Sequence, residues 1–140
     1  MLDVVALLKT QLTPQGAPWV DVDGLLQLSA LDSKKAGRLP KLYVIELSEN
    51  AKPDVRGSGP YLQTLQLEIG VICVMASVNG QHASLAPMRE QVRARLFGWS
   101  PHVDLEPLAL AGGRLLKLGD SYVAWLDRFV TEYTEDANRP

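Results

Sequence analysis

Two histidines, one cysteine and a few carboxylates are the residues of this chain that could do chemistry. His82 and His102 each stand in a polar stretch with no cysteine or spaced carboxylate beside them to complete a zinc ligand set. They read as surface histidines, and a metal site would need a tertiary coincidence. Cys73 lies inside the apolar run Ile69-Gly70-Val71-Ile72-Cys73-Val74-Met75. A reactive thiol wants an exposed, electropositive setting, so Cys73 reads as a small core hydrophobe. Arg56-Gly57-Ser58-Gly59-Pro60 is glycine-rich but lacks the lysine and the following helix of a phosphate loop. Pro60 also removes a backbone donor there. Asp21 and Asp23 could hold a cation weakly, but capping and solvation explain them better. Glu46, within an apolar run, is the one carboxylate whose environment could shift its pKa, and an edge-facing glutamate is the plainer account. No G-x-S-x-G nucleophile elbow occurs. The residues therefore point to no catalytic group, no cofactor and no metal.

The remaining classes narrow quickly. A chain of 140 residues is near the common size of one domain and can bury a core without staples. With 46% apolar and 21% charged residues, it is ordinary globular material. Net charge is −2, which leaves no basic excess to neutralise a run of phosphates. A single cysteine rules out an internal disulfide framework and suits a reducing compartment. Met1-Leu2-Asp3 lacks a basic leader region, and no apolar run approaches the roughly 18 residues of a membrane span. The expectation is a soluble chain made in a cytoplasm.

Periodicity then supplies the elements. Leu2, Val5, Leu8 and Leu12 share one face of a short amphipathic helix, which Pro14 and Gly16 stop. Trp19 is expected to anchor the loop that follows. Asp23 is placed to cap a second short helix carrying Leu25, Leu26, Leu28 and Leu31. Asp32 to Pro40, with Lys34, Lys35 and Arg38, reads as an exposed connector. Leu42 to Leu47 is a β-prone run suited to a central strand. Its partner, Leu62 to Ser77, alternates up to Ile69 and is apolar on both faces after Gly70. Asn79-Gly80 signals a turn. Leu85, Met88, Val92 and Leu96 stripe a helix within 83–97, started at Ser84 or one turn later at Ala86-Pro87 and closed by Gly98. Leu108-Ala109-Leu110, a turn at Gly112-Gly113, Leu115 to Leu118, a turn at Gly119-Asp120 and a last strand from Ser121 to about Tyr133, whose apolar alternation breaks at Asp127, read as a three-stranded meander. The fold class is α+β: a mixed or antiparallel sheet of about five strands, a hairpin plus a C-terminal meander, flanked by two or three helices. One domain is expected over 1–134, with a flexible tail over 135–140.

The hairpin loop from Ser48 to Tyr61 is long for a connection that usually takes roughly two to five residues. Fixing it costs on the order of 1 kcal/mol per residue, and Ala51, Pro53, Val55 and Pro60 offer few apolar anchors. Two outcomes are open: the loop stays mobile, or another chain orders it.

The ordered set of elements resembles the tail terminator, or tail completion, proteins of tailed bacteriophages. The residues that carry the likeness are Leu39-Pro40-Lys41-Leu42-Tyr43-Val44-Ile45-Glu46-Leu47, the polar loop with Asn50, Ala51 and Arg56, and the strand entering Gly70-Val71-Ile72-Cys73-Val74. The helix Met88 to Leu96 with Gly98-Trp99, the segment Ala111 to Leu115, and Tyr122 to Tyr133 with Trp125, Asp127 and Thr131 complete it. It covers about Leu2 to Tyr133. The resemblance implies a structural virion protein, not an enzyme. It implies a homo-oligomeric, hexameric ring that caps the tail tube and presents the surface for head–tail joining. Implied partners are the tail tube protein, neck or connector proteins and, in sheathed tails, the last sheath ring. DNA would pass through the lumen without specific binding, and no membrane is involved. The place implied is the head-proximal end of the tail, assembled in the host cytoplasm. The candidate contact with a neighbouring subunit or tube ring is the loop, through Asn50, Lys52, Asp54, Arg56 and Tyr61, with Arg56 as the charged contact and Tyr61 as the aromatic anchor. A different neck, connector or baseplate component is the first alternative. A small cytosolic enzyme or ligand-binding domain around Glu46 and Tyr43 is the second, and a deep pocket there would favour it.

Overall fold

The computed structural model describes residues 1–27, 31, 38–78, 81–118 and 121–138. In chain order the elements are α1 (Val4–Gln11), β1 (Asp21–Leu25), β2 (Lys41–Ala51), β3 (Leu62–Ala76), α2 (Ala86–Leu96), β4 (Ala109–Leu118) and β5 (Tyr122–Asp136). Among the described residues they form an α+β fold with one mixed five-stranded sheet, ordered β1-β2-β3-β5-β4, and two helices. Only the β1–β2 pair is parallel. No helix among the described residues is long and apolar enough to cross a membrane.

The β2–β3 hairpin forms the centre, as its composition predicts. Lys41 to Ile45 are buried on both faces. β3 is half-buried along its first residues and fully buried from Ile69 to Val74. Gly70 marks the change because nothing larger fits: a Cβ there would sit 2.6 Å from Leu126 Cδ1. Two cores result. Val4 and Leu8 of α1, Leu12 at its C-cap, and Met88, Val92 and Leu96 of α2 pack with Leu42, Val44, Val71, Cys73 and Phe129 on one face of the sheet. Tyr43, Ile45, Ile72, Val74, Tyr122, Ala124 and Leu126 form the core on the other face.

Both helices start where side chains can serve them. Asp3 caps α1 by accepting the Ala6 N–H at 3.0 Å. Ser84 accepts the Ala86 N–H at 3.2 Å, so α2 takes the later of its two possible starts, with proline in the first turn. Gly98 closes it at φ 80°. Trp19 is buried and donates its indole N–H to Leu12 O at 2.8 Å, which ties the end of α1 to the next loop.

The structure corrects the reading at three places. The segment at Asp23 is strand, not the start of a helix: Asp21–Leu25 pairs with Lys41–Ile45. A buried β2 needs backbone partners along its flank, and that demand outweighs a short leucine stripe. Leu26 is fully exposed, while Leu28, most of the basic connector and the turns at 79–80 and 119–120 lie outside the described residues.

Gly112-Gly113 does not turn the chain. β4 runs straight through it as one strand with irregularities at Leu110/Gly112 and Leu115/Lys117, so the meander is a single β4–β5 hairpin. Gly112 takes φ 105°, and at Gly113 a Cβ would meet Asp127 Oδ1 at 2.7 Å and Leu126 O at 2.8 Å. The glycines serve a bulge and a close backbone approach.

Asp127, the break in the apolar alternation of β5, lies within the continuous strand. It points into the helix-side core, 2% exposed, and accepts two bonds from Arg89 of α2 at 3.0 Å and one from Trp125 Nε1 at 3.1 Å. Arg89 also lies 4.4 Å above the Trp125 ring. A buried carboxylate is tolerable only when its oxygens are satisfied, and α2 supplies the donor.

Finally, the expected loose tail is strand at its start. Glu135 and Asp136 pair with Gln63 and Leu62, and the Ala137 N–H donates to Tyr61 O at 2.9 Å.

Candidate functional site

Beyond Glu46 the sheet leaves its helices behind. The ends of β2, β3 and β5 continue as a polar three-stranded ribbon, closed by the loop between Ala51 and Leu62. Three polar side chains of that loop hold its shape. Asp54 accepts the N–H of Leu62 at 2.7 Å, of Gly57 at 3.0 Å and of Arg56 at 3.3 Å. The Leu62 bond is foremost in holding its carboxyl below the usual carboxylate range, with Gly57 and Arg56 adding to it. Arg56 grips Asp136 with both ends of its fork, at 3.0 and 2.9 Å, and donates to Pro60 O at 2.7 Å. That pairing raises the Arg56 pKa further above its ordinary value. Lys52 Nζ meets Glu132 Oε1 at 2.7 Å, and the Lys52 N–H donates to Thr64 O at 2.8 Å.

The expectation that the loop is either mobile or ordered by a partner is therefore corrected. Its own strands order it, through ions and backbone donors in place of apolar anchors. Of the five candidate residues, Lys52, Asp54 and Arg56 belong to one polar framework with β5. Asn50 sits opposite Gln66 on an exposed stretch of β2, and Tyr61 is 66% exposed at the far foot of the loop. Val55, 70% exposed although its N–H pairs with Leu62 O across the loop, is a further outward residue. Asp136 was not foreseen because a charged run near a chain end reads as solvated tail, and Glu132 because a polar residue on the last strand names no partner by itself. The usable signal was the loop's own unpaired Lys52 and Arg56.

Beside the ribbon, on the helix side, is a cleft of about 830 Å³. Leu67 and Tyr133 are among its apolar lining, and its rim carries Glu46, Glu49, Asp104, Glu106, Glu132 and Glu135. Burial, foremost, and the neighbouring Glu49, Glu135 and Glu46 push the Tyr133 hydroxyl above its ordinary pKa. The Asp104–Glu106 wall is docked on β5 by Thr131, whose hydroxyl donates to Glu106 O. Glu46 is exposed here, just past the end of β1, while Tyr43 lies buried on the opposite face. The two do not converge on a pocket.

The remaining candidates resolve structurally. Cys73 is fully buried, and desolvation pushes its thiol up to about 12. Asp21 and Asp23 flank the buried Lys41 at 3.4 and 3.8 Å, and Asp23 also meets Lys9 at 3.6 Å. They are counter-ions for lysine. His82 is exposed, and His102 lies 3.6 Å from Asp104. Among the described residues, no three His, Cys, Asp or Glu side chains come close enough together to hold a metal ion.

No curated protein sequence matches the chain. The sequence profile described as phage tail terminator protein matches it over residues 1–139, from α1 past the end of β5. The sheet, the two helices and the polar ribbon thus all lie within the matched span, and the chain belongs to the phage tail terminator family.

Proposed function

We propose that this chain ends polymerisation of the tail tube by closing as a ring on its last layer, and that the exposed side of the ring receives the head. Membership of the family carries a structural role in the phage tail. The finer reading rests on that match together with one observation. A polar ribbon extends past the two cores and is pre-ordered by Asp54 and Arg56, while Val55, Tyr61 and Asn50 stay outward. Ordering the loop within the chain lowers the entropic cost of docking it. The ribbon is then a stiff arm toward an adjacent subunit or the tube ring. Asn50, Val55 and Tyr61 make the contact, and Lys52, Asp54 and Arg56 fix its shape.

In this reading the ring is a hexamer at the head-proximal end of the tail, assembled in the host cytoplasm. Its partners are the tube protein, the neck or connector proteins and, where a sheath exists, its last ring. DNA crosses a neutral or acidic lumen without specific binding, since a basic lumen would hold it by counter-ion release.

The test is tube length. Purified chain added to polymerising tube protein should arrest growth and appear as one ring at one end in electron micrographs. Unchanged lengths and bare ends overturn the reading. A ring found on the portal side or at the tip would place the chain with other neck or baseplate components.

A further inference from the structure

The two edges of the sheet carry opposite charge at matching positions. β4 forms one edge and β1 the other, and among the described residues no strand pairs with the outer side of either. Pairing partners can be followed across all five strands. Arg114 lies level with Leu126, then Ile72, Tyr43 and finally Asp23. Lys117 lies level with Ala124, Val74, Lys41 and Asp21. Between them Leu115 is level with Trp125, Cys73, Leu42 and Val22. The charged set shares the face of Tyr43 and Leu126, and the apolar pair shares the face of the helices.

From this correspondence we infer that β4 of one copy pairs with β1 of the next, so that the sheet continues from subunit to subunit. Arg114 then faces Asp23, Lys117 faces Asp21, and Leu115 covers Val22. In a head-to-tail repeat whose sheet faces continue, β4 and the next β1 run antiparallel, because β1 runs with β2 while β3, β5 and β4 alternate in direction. Opposite charges directly across an antiparallel pair stabilise it, and like charges oppose it. A two-fold β4–β4 contact would bring Arg114 and Lys117 toward their own copies, and a β1–β1 contact would do the same with Asp21 and Asp23. The charges thus favour a heterologous contact, the type that closes rings.

The groups are accessible. Arg114 and Lys117 are exposed, with no ion pair among the described residues, and Lys117 lies 5.1 Å over the Tyr122 ring. Leu115 is 46% exposed, an apolar side chain on an uncovered edge. The Asp21 and Asp23 side chains are 52% and 58% exposed despite their contacts with Lys41 and Lys9, so oxygen surface remains for a second cation. β1 has five residues, so this strand pair alone covers far less than the roughly 1,600 Å² of a typical stable interface. The contact is weak singly and holds when a ring closes on a template. The inference rests on the proposed ring at the tube end and names the surfaces that close it.

The experiment uses two variants of the full chain with one added cysteine each, Arg114→Cys and Asp23→Cys, assembled on tubes of the cognate tube protein and mildly oxidised. Directly opposed residues of antiparallel strands lie within disulfide reach, and the buried Cys73 serves as a silent internal control. The mixture should give a disulfide-linked dimer, and each variant alone should give none. A cross-link within one variant alone, or rings that form in the mixture without a cross-link, overturns the edge pairing and leaves the ring reading standing. If the unmodified chain forms no ring on tubes, the reading itself falls and the pairing with it. As a second measurement, Arg114→Glu with Lys117→Glu should weaken ring assembly by about tenfold or more at unchanged melting temperature. Assembly at the unmodified level overturns the inference.

Discussion

Two arginine–aspartate pairs lie along the same strand, and they teach different things. Asp127, in the middle of β5, takes a two-pronged bond from Arg89 inside the helix-side core, its side chain 3% exposed. Asp136, at the end of β5, takes an equally well-formed fork from Arg56, but its side chain is 40% exposed. The bond lengths hardly differ. What differs is what happens when a partner is removed. Without Arg89, the buried carboxylate keeps only the Trp125 Nε1–H bond and a longer ion pair with Arg93 at 3.9 Å. Without Arg56, water replaces the guanidinium. The first pair therefore fixes the fold, while the second fixes one loop.

The sharpest way to break this comparison is Arg89→Ala. Removing the two-pronged partner of buried Asp127 should cost about 3 kcal/mol in global stability, the low end for a broken buried pair because Arg93 remains 3.9 Å away, read from urea unfolding. A loss under 1 kcal/mol would mean that the two pairs are equivalent. Next comes Gly70→Ala, where the added methyl meets Leu126 Cδ1 at 2.6 Å and Ile45 Cγ2 at 3.1 Å. Overpacking there should cost about 1–3 kcal/mol. A neutral result would show that the dry half of the sheet yields more readily than its packing implies.

Arg56→Ala should leave the urea-unfolding midpoint nearly unchanged, as expected of a solvent-screened pair. It should nonetheless speed amide hydrogen exchange at Val55 and Leu62, whose N–H groups close the loop. Unchanged exchange would deny Arg56 its role in shaping the arm. The smallest effect concerns pH. The Asp54 carboxyl titrates below its ordinary value in the folded chain, so its contribution is complete above the usual carboxylate range, about pH 4, and is lost as pH falls through the lower folded value. Loop amides should therefore open on acidification before the core does, and Asp54→Asn should remove that pH dependence. Core and loop amides opening together would sink the assignment.

Wherever apolar periodicity settles an element, sequence and structure agree. α2 starts at Ala86 and buries Met88, Val92 and Leu96, and β3 changes from half-wet to dry at Gly70. The disagreements share a cause. Gly112-Gly113 carries a turn signal by composition, yet what it answers to is the carboxylate and backbone of β5 across the strand. Asp127 interrupts an apolar alternation for no visible reason until Arg89, from a distant helix, reaches it. Asp23 looks like a loop residue capping a leucine-rich helix until β2 offers a bare flank. The arm is the same case: Lys52, Asp54 and Arg56 were legible as special, but the partners that give them their roles, Glu132, Leu62 and Asp136, are brought there only by the pairing of β3 with β5.

The amino-acid order alone determined the α+β class, the central hairpin, the inert cysteine and the likeness to tail terminators. The first three depend on side-chain period and composition, which are local; the last is a resemblance carried by an ordered set of residues. Tertiary structure alone decided which polar groups are satisfied and by whom: the Asp127 clamp, the self-ordered arm, and the level placement of Arg114 and Lys117 with Asp23 and Asp21 at opposite edges. Charge and hydrogen bonding act between groups that sequence separates widely, so their pairing exists only once the strands are in register.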